Sequence, residues 1–131
     1  MSSAKRLEFF LDRSLGKRSA APLIEAGWIV HFIADFYGDD AAEVPDEQWI
    51  ADGSGRGWAL LTKDKKIRYR SHELEALDSG HLFCVASGNL SFQEMGERLR
   101  DAAPAMERAV ERESFGFWHV FADGRIERRW P

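Results

Sequence analysis

A single cysteine, Cys84, leaves no partner for a disulfide within the chain, which excludes the stapled scaffolds of small secreted proteins and points to a reducing compartment. Long apolar runs are missing too. The stretch from Met1 to Arg6 leads only into Phe9-Phe-Leu11, which Asp12 and Arg13 end, too short for a signal peptide. No segment approaches the ~20 apolar residues of a membrane span, so a cytoplasmic protein with no membrane contact is expected. An excess of basic charge is also lacking. Eighteen Lys and Arg against twenty-two Asp and Glu give a formal net charge of −4, which excludes affinity for nucleic acid driven by bulk charge. Any such contact has to be local. No repeat, low-complexity tract or linker interrupts the chain. What is present, 131 residues with 44% apolar and 31% charged, is the balance of one soluble domain spanning 1–131 and long enough to bury a core.

The pattern predicts an α/β fold. Leu7-Glu-Phe-Phe-Leu11 reads as a first strand ending at Asp12. Ser19 to Ala26 reads as a short helix, with Ser19 as its cap, Pro22 in its first turn and Gly27 as its left-handed stop. Trp28 to Ile33 is β-branched and aromatic, a second strand, and Asp35 to Glu43 reads as a loop. Pro45 to Ala51 opens a helix with Asp46 and Glu47 in the first turn, and the glycines at 53, 55 and 57 are expected to stop it. Trp58 to Thr62 and His81 to Ala86 are nearly continuous apolar runs, the mark of strands buried on both faces of a parallel sheet, with a short helix from Ser71 to Leu77 between them. Ser91-Phe-Gln-Glu94 is a capping box opening the longest helix, with a kink expected at Pro104. Asp123-Gly124 sits between two closing strands as a hairpin turn. The result is an open, mainly parallel sheet flanked by helices, with a core over about 7–112 and an antiparallel hairpin over about 115–130.

Such sheets place chemistry beyond the carboxyl ends of their strands, where strand order reverses. Asp12 lies at the end of the first strand, Asp64 two residues past the third, and Asp46 and Glu47 open the helix before it. If the first and third strands are neighbours, three or four carboxylates meet at one edge. Close acids repel unless protonated or neutralised by a cation, and carboxylates suit magnesium or manganese. A metal site for phosphoryl transfer follows. Each acid also has a plain structural role: Asp12 as a turn cap, Asp46 and Glu47 against the helix dipole, and Asp64 in a turn. In the basic stretch Lys65-Lys-Ile-Arg-Tyr-Arg70, Tyr69 is placed to stack a base while Lys65, Arg68 and Arg70 hold phosphates; an ordinary exposed loop is the other reading. The four histidines lack zinc spacing, and Ser14 and Ser87 lack a nucleophile elbow. Cys84 and the tryptophans at 28, 49 and 58 read as core.

Phe9-Phe-Leu-Asp12, Gly27-Trp-Ile-Val30, Val44-Pro-Asp-Glu-Gln-Trp-Ile50 and Gly57-Trp-Ala-Leu-Leu-Thr-Lys-Asp64 resemble, in that order, the PIN-like ribonucleases, over roughly residues 7 to 112. The branch they look most like is the compact VapC-type toxins. That resemblance implies magnesium or manganese held by Asp12 and Asp64, with Asp46 as third acid and Glu47 its competitor. It further implies Lys63 steering phosphate, cleavage of single-stranded RNA, and an inhibiting antitoxin partner. Many PIN domains carry a further acid after the fourth strand. This chain has Ser87-Gly-Asn89 there, and Asn89 can position water or contact RNA without adding charge. A homodimer through Trp118 or Trp130 of the hairpin is a further expectation. Two other classes stand beside the nuclease: a non-catalytic PIN-like module binding protein or RNA, and a receiver-like domain, which lacks the paired acids expected after the first strand.

Overall fold

A computed structural model of the chain describes residues 6–64, 71–77, 80–85 and 89–131. Strand β1 (Glu8–Leu11) is followed by two short 3-10 turns and helix α1 (Ala21–Glu25). Strand β2 (Ile29–Phe32), helix α2 (Ile33–Tyr37), a 3-10 stretch, helix α3 (Asp46–Gly55) and strand β3 (Ala59–Thr62) come next. The chain continues through α4 (Ser71–Leu77), β4 (His81–Val85) and the long α5 (Phe92–Arg112), and closes with β5 (Gly116–Val120) and β6 (Ile126–Trp130). The six strands form one sheet in the order β2-β1-β3-β4-β5-β6. All neighbours are parallel except β5 and β6, which pair antiparallel.

Strand residues alternate between two cores, as the two-residue period of a strand requires. Phe9, Leu11, Leu61, Phe83 and Val85 face α1 and α5 together with Met95, Leu99 and Met106. Phe10, Leu60, Leu82, Cys84 and Phe117 face the other way, onto Trp49, Ile50, Leu74 and Leu77 of α3 and α4. The central strands are therefore covered on both sides, the reason their sequences are continuously apolar rather than alternating. Among the tryptophans expected in the core, Trp49 and Trp28 are buried and Trp58 is half-buried, edge-on to Phe10.

Several local expectations need correction. Ser19 does not cap a helix: it is buried within a 3-10 turn, and its hydroxyl donates to the Leu15 carbonyl at 2.6 Å. The supposed loop from Asp35 to Glu43 is helical, because buried Ile33 anchors α2 and the Tyr37 hydroxyl donates to Asp52 of α3. Gly53 does not stop α3, which runs on to Gly55. A Cβ at Gly53 would lie 2.4 Å from Leu60 and 2.7 Å from Phe10, so this glycine lets the helix close onto the sheet, and only past it does Gly57, at φ 76°, turn the chain away. Helix α5, which includes Pro104, starts as expected from a fully formed capping box, in which Glu94 N donates to Ser91 Oγ at 3.1 Å and Ser91 N to the Glu94 carboxylate at 2.9 Å. The hairpin turn is tight as expected, with Asp123 at φ 63° and Gly124 at φ 76°. Its tryptophans are not an exposed patch. Trp118, expected exposed, is 4% exposed inside the α5-side core, and Trp130 is half-buried against Phe115 and the opposite core.

Candidate functional site

Strands β1 and β3 are adjacent and in register, with Leu11 opposite Leu61, so their carboxyl ends deliver Asp12 and Thr62 to the same place. Here strand order reverses: β1 has β2 on one side and β3 on the other. The Asp12 N–H donates to the Leu61 carbonyl at 2.9 Å and extends the ladder by one residue. The side chain is thereby fixed just beyond the sheet.

Asp12 is 6% exposed. Its Oδ2 accepts hydrogen bonds from Thr62 Oγ1 at 2.7 Å and from Ser14 Oγ at 2.8 Å. Burial pushes its carboxyl above the ordinary carboxylate range; the Thr62 and Ser14 hydroxyls offset part of that rise, and the negative charge of Asp46 adds to it. Asp46, in the first turn of α3, is half-buried and accepts from the Trp49 indole N–H at 2.9 Å. Two acids thus come within electrostatic reach of one another.

The Thr-Lys-Asp turn has a physical explanation in the same contacts. Thr62 Oγ1 donates to Asp12 while accepting the Asp64 N–H at 3.0 Å, a side-chain turn that ties the start of the loop to the acid on β1. The Lys63 N–H points at Ser14 Oγ at 3.4 Å, a second tie between the loops after β1 and β3. Lys63 is exposed, and its ammonium lies 5.9 Å from the centre of the Phe92 ring. Asp64 is half-buried beside this turn, Glu47 is exposed on α3, and Asn89 is exposed in the turn before α5. Lys65, Arg68, Tyr69 and Arg70 lie outside the described residues.

The acids share a sheet edge, yet they do not close into a ligand cage. Among the described residues, no group of three or more His, Cys, Asp and Glu side chains is gathered closely enough to hold a metal. Local donors account for this. Asp12 turns into two hydroxyls, and Asp46 turns back to Trp49 of its own helix. The donor set that remains, a buried carboxylate under the charge of a second, with hydroxyl oxygens around it, suits a hard cation that keeps water and phosphate as its other ligands. It does not match a three-carboxylate cage.

Sequence reasoning missed three supporting residues. Ser14 was weighed only as a nucleophile and Thr62 only as part of the Thr-Lys-Asp motif, although a hydroxyl two residues after an aspartate and another two before one are the signal for this pair of bonds. Arg13 was not singled out. Its guanidinium donates to the carbonyls of Ala41 and, at 3.4 Å, Val44, bracing the segment that leads into Asp46 against the end of β1. Two of the histidines hold structural contacts: His31 pairs with Glu8 at 2.7 Å and stacks on Trp58. His81 Nδ1 accepts from the Trp118 indole N–H at 3.1 Å, which leaves Nε2 to donate to the Glu113 carbonyl at 3.1 Å. No described helix is long and apolar enough to cross a membrane.

Comparison with known proteins gives one match. A family model described as PIN like domain covers residues 7–87, from β1 to just past β4, short of the expected limit near residue 112. No curated protein and no solved structure matches the chain. The matched stretch contains the whole Asp12, Asp46 and Asp64 edge and exceeds half of the sequence, so the chain belongs to the PIN-like domain family, a family that includes nucleases.

Proposed function

We propose that the protein is an endoribonuclease dependent on magnesium or manganese, of the VapC-type toxin branch, restrained by a separate antitoxin protein. The observation that carries this reading is the Asp12 carboxyl: buried, raised in pKa, positioned by two hydroxyls at the strand-order reversal, with a second acid beside it. Perturbed carboxylates in such places cluster at functional sites, because burying a charge costs stability that chemistry has to justify. The order Asp12, Asp46-Glu47, Thr62-Lys63-Asp64 supports the toxin branch.

Asp12 and Asp46 would hold the cation, with Asp64 the next acid along the edge and Glu47 the alternative from α3. The cation, when bound, supplies positive charge against the phosphate being attacked. The chain's own residues do the rest. Thr62 and Ser14 keep the Asp12 carboxylate in one orientation, and Trp49 does the same for Asp46. Arg13 braces the approach to α3, which fixes the spacing between the two acids. Lys63 brings positive charge to the acid-bearing edge of an acidic protein, where a phosphate needs it.

The test is cleavage of a labelled RNA by purified protein with manganese, magnesium or chelator, beside Asp12→Asn prepared identically. Metal-dependent cleavage lost in the variant is expected, as is relief of growth arrest when the variant replaces the wild type in cells. Full cleavage by Asp12→Asn overturns the site. One observation favours a second reading, a PIN-like module that binds RNA or protein without cutting: the described acids form no three-way group, and Asn89 is uncharged. RNA affinity that persists in chelator, with no cleavage in any metal, selects that reading.

A further inference from the structure

Two aromatic rings flank the loop after β1, and each has a lysine over it. On one side, Phe32 at the end of β2 is half-buried and walls a cavity of about 140 Å³ with Ile33, Gly16, Lys17 and Asp12 itself. The Lys17 ammonium lies 5.4 Å from the centre of the Phe32 ring. On the other side, Phe92 opens α5 at 41% exposure, one of only three large apolar side chains exposed among the described residues, with Lys63 over it. Gly16 joins the two. It lines the Phe32 cavity, and a Cβ on it would sit 3.3 Å from the Phe92 ring, at a backbone φ of 72° that side chains rarely adopt.

We propose that Phe32 and Phe92 are stacking platforms for two bases of a single RNA strand, whose backbone crosses at Gly16 and meets Asp12. This rests on the nuclease reading and adds the residues that would hold its substrate. The chemistry of single-stranded recognition is what the edge provides: ring faces that accept any base, and cations on flexible stems next to them. The cavity admits one base ring, since an apolar cavity of about 150 Å³ takes a benzene. Lys17 and Lys63 are both exposed, and each lies at the outer reach of a cation–ring contact, so a base can replace the ammonium on the ring while the ammonium moves to the adjoining phosphate. The absence of a side chain at Gly16 keeps the crossing open. Positive charge here is local, in keeping with a chain of net charge −4.

The experiment is fluorescence anisotropy of a short labelled oligouridylate, read in chelator so that no strand is cut. Phe92→Ala and Phe32→Leu are compared with the wild type; the leucine retains apolar volume on the edge strand, and far-ultraviolet circular dichroism checks the fold of each. Each variant is expected to weaken binding by about tenfold, the usual loss of one stacked base. Lys17→Ala and Lys63→Ala should each reduce the salt slope of log affinity by about 0.7, one phosphate apiece. Wild-type affinity in either folded aromatic variant overturns the platform, and so does a wild type that binds no oligouridylate. Cleavage by the wild type in manganese, assayed in parallel, reports separately on the nuclease reading, so a protein that cuts without needing the two rings fails this inference alone.

Discussion

Thr62 performs two tasks with one hydroxyl: it donates to a buried carboxylate and receives the main-chain N–H of Asp64. Thr62→Val keeps the shape and removes both bonds, leaving a fully buried position without its polar partner. Leaving a buried acceptor short of a donor costs about 1–3 kcal/mol, so the midpoint of urea unfolding should fall accordingly while Thr62→Ser stays near wild type. Unchanged stability in the valine variant would mean that the bond to Asp12 contributes nothing. Cleavage should fall in the valine variant as well, because Asp12 loses one of the two hydroxyls that orient it. The serine control keeps the hydroxyl, so it shows whether the effects follow that group rather than any change at a buried position.

At the scale of elements, His81 joins three of them. It lies on β4, accepts from Trp118 of β5 through Nδ1, and donates to the Glu113 carbonyl at the end of α5 through Nε2. Burial is the main cause of a pKa pushed below the ordinary 6.5, and the charge of Arg128 adds to it, while the Glu113 contacts work the other way. A histidine with a depressed folded pKa is neutral in both states above 6.5, where its contribution to stability is complete. As pH falls through 6.5 toward the lower folded value, the unfolded chain takes up a proton that the folded one refuses, and stability is lost. Thermal melts of the wild type should therefore drop on mild acidification below neutrality, and a His81→Asn protein should lack that part of the slope. A wild type with the same melting temperature across this window contradicts the assignment.

The elements also show what a sequence can and cannot reveal. The strands, α4 and the capping box of α5 follow from local rules, since apolar continuity and a Ser-x-x-Glu spacing carry their own physics. Helix α2 does not, because what holds it is tertiary: Ile33 in the core and Tyr37 bonded to a residue fifteen positions on. Gly53 misled for the same reason. A glycine marks a break in local terms, whereas here it marks where a helix touches a sheet. In the site, Asp12, Asp46, Asp64 and Lys63 were legible as types at strand and helix ends. Their individual hydrogen-bond partners were not, since Thr62 is fifty positions from Asp12. Nor were Phe32 and Phe92 legible as a pair, because apolar residues at the ends of a strand and a helix look like core until their exposure is known.

On the scale of the whole molecule, the two margins of the sheet differ. The β2 margin carries Ile29 at 55% exposure, whereas β6 carries Arg128 and Glu127, and Arg128 bonds back to Glu113 and to the Phe115 carbonyl. Strand β6 thus caps an otherwise parallel sheet with a charged edge, a common defence against edge-to-edge association. Deleting residues 126–131 would leave β5, with its buried Phe117 and Val120, as a bare edge. The truncated protein is expected to self-associate, seen as rising apparent mass in light scattering as concentration increases. A truncated protein that stays monodisperse and melts like the wild type would show that β6 is dispensable.

The sheet order has a last consequence, for the chain as it is made. Strand β1 comes first in sequence but sits inside the sheet, between β2 and β3. During synthesis at about 5–20 residues per second, the segment carrying Asp12 and Asp46 emerges seconds before the one carrying Thr62, and until then β1 has a neighbour on one side only. The acidic edge is therefore assembled late, by a strand that arrives after both of its first two acids. A nascent chain in that interval holds the carboxylates without the Thr62 latch, so the site cannot take shape until β3 has been made.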